Sequence, residues 1–183
     1  MQTQPVGTLT HDPLTDSPSA PTRPDLRVVR NARSRRLFRA LAVATAALVA
    51  VGGYVHFCLY RHGYRMIPKI GVGFGLQVLT SALVVVLLLA PHRVARLAHV
   101  TDRAAGALTE LAAAALATGT LVAFALSRTP GGLFNFQERG LQPAPQALIA
   151  LIAESGVLVV VGAWLVTDHL AQRRLPPVSV ARV

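Results

Sequence analysis

Three polar side chains stand inside otherwise apolar runs of this sequence: His56, Gln77 and Glu154. An imidazole and a carboxyl together can exchange a proton or hold a cationic or polar ligand, and a carboxamide beside them can orient either. An ionisable group at the centre of a membrane helix costs about 2.5–3.5 kcal/mol on insertion scales, so each one asks for a reason. Gly52, His56 and Tyr60 fall at i, i+4, i+8, on one helical stripe, and Gly73, Gln77 and Ser81 do the same. Ala150 and Leu158 flank Glu154 at the same interval. A small residue one turn from each polar group (Gly52, Gly73, Ala150) predicts close approach of a neighbouring helix there. Two readings stand. In one, the three groups hydrogen-bond each other or nearby backbone and hold helices together. In the other, Glu154 pairs with His56 and takes a proton or a ligand.

Other chemistries lack their residues. A bis-histidine haem needs two histidines at matched depth, and His56 is the only one within an apolar run. Metal hydrolysis needs convergent histidines and carboxylates, which the pattern does not supply. No G-x-S-x-G, Walker A or H-E-x-x-H sequence occurs, and "GVGFG" at 71–75 follows no strand, so it is no dinucleotide fingerprint. Cys58 is the single cysteine, which excludes an internal disulfide and a cysteine-only metal site. No cofactor is called for, and nothing positive argues for an enzyme.

The elements that must position these residues are four apolar runs, at 40–60, 70–90, 104–126 and 147–166. Each has about 20 residues or more, enough at about 1.5 Å per residue to cross a hydrocarbon core of about 30 Å. Composition agrees: 52% of residues are hydrophobic and 14% charged, too few charges to cover a water-soluble surface. Pro91 stops the second run, and Thr101 and Asp102 can cap the start of the third. The expected fold is all-α, a four-helix transmembrane bundle over 40–170. A disordered basic tail over 1–39 precedes it and a short tail over 171–183 follows. The first 26 residues are rich in Pro, Thr, Ser and Asp without apolar periodicity, which predicts disorder and gives no sign of a secretory signal.

The formal charge of +10 does not indicate nucleic acid. Thirteen of the eighteen basic residues lie in the tails and at 93–103, and five (Arg61, Arg65, Lys69, Arg128, Arg139) in the other two connections. That asymmetry predicts a plasma-membrane protein with both termini cytoplasmic. Converted to height, His56, Gln77 and Glu154 then share a layer about 6–11 Å below the outer boundary, while Glu110 lies apart toward the cytoplasmic side. Tyr60, Arg61, Tyr64 and Arg65 become the expected mouth of that layer. The third connection, "SRTPGGLFNFQERGLQPAPQ", is too apolar for a free loop. It reads as an interfacial segment or, more sharply, as a lid over the outer end of the bundle.

The sequences "HGYRMIPKIG" and "GLFNFQERGLQPAPQALIALIAE" resemble small four-helix integral membrane proteins of actinobacteria, in which a "GYR-IP-IG" turn follows the first helix and a "GLFGF-E" loop precedes a Glu-bearing helix. The resemblance covers roughly 40–168 and implies the topology, not an activity. Two functional expectations follow. The first is a non-enzymatic accessory or assembly partner of other membrane proteins or of itself, packing through the Ala-rich face of "LAAAALATG". The alternative is a small-molecule or proton-coupled carrier built on His56, Gln77 and Glu154. A cavity that reaches all three separates them.

Overall fold

The structure, a computed structural model, describes residues 26–173, with side-chain surroundings from residue 33 onward. It is all-helical: α1 (Leu26–Arg61), a single 3-10 turn (Tyr64–Met66), α2 (Ile70–Leu89), α3 (Pro91–Ala98), α4 (Asp102–Leu126) and α5 (Gln146–Arg173). Four helices are long and apolar enough to cross a membrane: Arg33–Arg61 within α1, together with α2, α4 and α5. The chain divides into units Met1–Ser34 and Arg35–Val183, and everything below concerns the second.

The ends differ from expectation in three places. Helix α1 begins at Leu26, so its first turns occupy sequence assigned to the disordered tail, whose remainder (1–25) lies outside the described residues. Most of the tail expected over 171–183 lies outside them too, while α5 itself runs on to Arg173. Between α2 and α4 the chain forms α3 rather than a plain connection. Pro91 explains both neighbours: lacking an N–H it ends α2 at Leu89, and its fixed φ suits the first turn of α3. His99, left-handed at φ 51, closes α3, and Thr101 caps α4 by accepting from the Ala104 amide at 3.2 Å.

Small residues set how closely the helices pack. A Cβ on Gly53 would stand 2.7 Å from Ser81 Cβ, and one on Gly52 2.7 Å from Glu154 Oε1, so α1 lies directly against α2 and α5. Gly156 similarly receives Leu48 of α1. The apolar centre is Ala46, Val49, Val84, Leu88, Ala113, Ala117, Val157 and Val161. Leu76, Leu79, Leu83 and Val86 of α2 face outward at helical spacing, as a lipid-facing stripe requires.

One end of the bundle carries two shaped connections. In the first, Gly71 lies so close to the Arg65 carbonyl that a Cβ would come within 2.7 Å of it. In the second, Leu133 and Phe136 exchange two backbone hydrogen bonds of 2.9 Å around Phe134 and Asn135, both left-handed at φ 53 and 65. Paired positive φ values at the two central residues give a tight reversal, and a bulky left-handed phenylalanine is strained. At the opposite end Arg103 pairs with Asp168 at 2.5 Å, and Phe38 packs edge-on to Trp164.

Candidate functional site

His56, Gln77 and Glu154 border one cavity. Glu154 is 3% exposed and His56 8% exposed. Gln77 donates from Nε2 to Glu154 Oε1 at 3.5 Å, linking α2 to α5. His56 does not hydrogen-bond Glu154. Its Nδ1 meets the Gly52 carbonyl of its own helix at 2.8 Å, while its ring lies 5.2 Å from that of Phe74. Gly52 therefore serves both groups, its oxygen holding the imidazole and its missing side chain admitting the carboxyl.

The cavity has a volume of about 330 Å³, and its lining includes His56, Gln77 and Glu154. Space arises because α4 presents Ala115, Gly119 and Ala123 on one stripe, and α2 presents Gly73. A Cβ on Gly73 or Gly119 would meet nothing within 4 Å. This corrects the expectation for Gly73: it opens the cavity, and the close approach belongs to Gly52 and Gly71.

Across the top lies the connection between α4 and α5, with Leu133, Phe134, Phe136 and Glu138 all contributing to the lining. It is therefore a cover over the bundle end, although Phe134 also keeps much of its ring exposed. Arg128 ties it down. Its guanidinium donates to the carbonyls of Gly140 (3.1 Å) and Gln142 (2.6 Å), pairs with Glu138 at 3.2 Å and stacks 3.5 Å above the Phe124 ring. Four contacts from one planar group fix the loop better than a point charge could. From the other connection, the Tyr64 hydroxyl donates to Glu138, and its ring bridges Phe74 and Phe136. Burial, and then the adjacent Glu138, push the Tyr64 phenol above its ordinary range, so it remains a donor.

Of the expected mouth residues, only Tyr64 takes part, and it does so as a latch outside the lining. Tyr60 lies beside Gly75, Arg61 is exposed with its guanidinium 6.0 Å from the Phe57 ring, and Arg65 is exposed on the turn. The basic residues that border the cavity are Lys69, whose Nζ sits 5.5 Å over Phe134, and Arg128. Sequence reasoning passed over Arg128 and Glu138. The sign available was their position, flanking the aromatic segment, with opposite charges that a folded loop could bring together.

Glu110 stands apart, as expected. It is 1% exposed and accepts from Thr45 Oγ1 at 3.0 Å, while its Oε1 finds no partner among the described residues. Within the Ala-rich stretch of α4, Ala113 and Ala117 are fully buried, while Leu111, Ala112, Ala115 and Thr118 are exposed.

Comparisons with protein families, with curated proteins and with solved structures find no match. Four apolar helices of spanning length fit a multi-pass membrane protein.

Proposed function

We propose that this chain binds a small molecule within the membrane and carries it. One observation supports the reading above the others: a cavity of about 330 Å³ that reaches Glu154, Gln77 and His56 beneath a folded cover. Its volume falls at the lower end of small-molecule pockets, about 300–1,000 Å³. The lining is mainly apolar with a few convergent polar groups, the usual makeup of a ligand site. The arginine distribution supports a plasma-membrane setting with both termini cytoplasmic and the covered end outward. The resemblance to small actinobacterial membrane proteins agrees with that setting. An accessory subunit remains the other reading, supported by small size, glycine-containing helix faces and the part of the Ala-rich stretch of α4 that stays exposed, Leu111 and Ala112 among it.

Mass spectrometry of organic extracts from purified wild-type and Gly119→Leu protein tests the proposal. The leucine would occupy space that is empty beside Gly119. A compound recovered from the wild type and missing from the variant is expected, with counterflow of that compound in proteoliposomes. Identical extracts from both proteins would remove the binding reading.

A further inference from the structure

Resting on the binding reading above, the hydrogen-bonding character of the cavity floor narrows the ligand's chemistry. Gln77 uses its N–H on Glu154, so its amide oxygen is left to accept. His56 meets a carbonyl through Nδ1, and a carbonyl only accepts, so Nδ1 carries the hydrogen. In the neutral ring Nε2 is then an acceptor. Glu154 has no cationic partner: the ion pairs among the described residues are Arg103 with Asp168 and Arg128 with Glu138. With Glu154 ionised, three helices each contribute an acceptor to one layer, and the positive charge that would balance them is missing.

The basic residues in the lining do not supply it. Arg128 is held by Glu138, by two loop carbonyls and by the Phe124 ring. Lys69 is exposed, with its ammonium over Phe134. Thr120 and Ser127 spend their hydroxyls on backbone carbonyls and Glu138 is paired with Arg128; the rest of the wall is apolar or aromatic, including Phe74 and Phe136, whose π faces favour a cation over an anion. We infer that the cavity takes a hydrophobic amine in its ammonium form, with the head at Glu154 and an aryl or alkyl body along α4 between Leu116 and Phe124. An anionic head would meet three acceptors, one of them a carboxylate. A neutral alcohol could donate one hydrogen bond but would leave the carboxylate's charge unbalanced.

The test is calorimetric titration of purified full-length protein in nonionic detergent near neutral pH with three ligands of one shape: phenylbutylamine, phenylbutanol and phenylbutanoate. The amine is expected to bind at least about tenfold more tightly than the butanoate. Glu154→Gln is expected to bring it down to the level of the alcohol with helical content unchanged, and Gly119→Leu to abolish binding of all three. Equal or tighter binding of the butanoate, or an amine preference that survives Glu154→Gln, overturns the inference and leaves the cavity a binding site for another class. No binding of any of the three overturns the inference and counts against the cavity reading as well. The three-ligand comparison on the unmodified protein decides the ligand class even if a variant fails to fold.

Discussion

Glu154 and Gly52 illustrate how much one hydrogen atom in place of a side chain decides. The carboxyl is accommodated because α1 has no Cβ at that height; an added methyl would stand 2.7 Å from Oε1. Overpacking of a buried contact destabilises by about 1–3 kcal/mol. Gly52→Ala should therefore lower the melting temperature in detergent, and Gly73→Ala, with nothing within 4 Å of its Cβ, should leave it unchanged. Equal effects would mean that the two glycines are not distinguished as described. In the other half of the bundle Thr45→Val removes the hydroxyl that donates to Glu110 and leaves a buried carboxyl without a partner among the described residues. A loss of about 1–3 kcal/mol is expected by chemical denaturation, and restoration by Thr45→Ser.

At the scale of elements, the α4–α5 connection is a small folded unit rather than a slack loop. Its shape comes from the Phe134–Asn135 reversal, and its position from Arg128 and Tyr64 meeting at Glu138. Arg128→Leu should raise hydrogen exchange across 129–142 while leaving the helices protected, because Gly140, Gln142 and Glu138 lie in the loop and its remaining contacts, Phe124 and Ser127, only at the end of α4. Uniform acceleration through the bundle would contradict a local tether. Tyr64 adds a pH dependence of definite sign. Its folded pKa is raised, so its contribution is complete below its ordinary value of 10.0 and is lost only as pH rises through the folded pKa. A ring-carbon NMR titration of Tyr64 should show no ionisation through pH 10, and Glu138→Gln should move the midpoint downward. The aromatic content of this loop was legible in the sequence, and so was the lid as one of two readings. Its closure over the cavity was not, because that depends on Arg128 and Glu138 meeting across ten residues of chain.

For the whole molecule the four-span arrangement carries its own prediction. With the lone cysteine replaced (Cys58→Ser), Arg65→Cys on the first connection and Arg93→Cys on α3 should react with a membrane-impermeant maleimide from opposite sides. Arg65→Cys is expected to label in intact cells and Arg93→Cys only after permeabilisation. Labelling of both from one side would exclude α2 as a span.

The helices and their heights were determined by sequence alone, because both are one-dimensional properties. An apolar run of sufficient length is able to span, and a constant rise per residue converts position into height along the helix. That is why His56, Gln77 and Glu154 could be placed in one layer before any contact was known. Rotation about each helix axis is set by packing among four helices and has no local code. Only the tertiary structure decided that Glu154 bonds Gln77 rather than His56, that Gly73 opens space while Gly52 closes it, and that Lys69 and Arg128 border the cavity in place of Arg61 and Arg65.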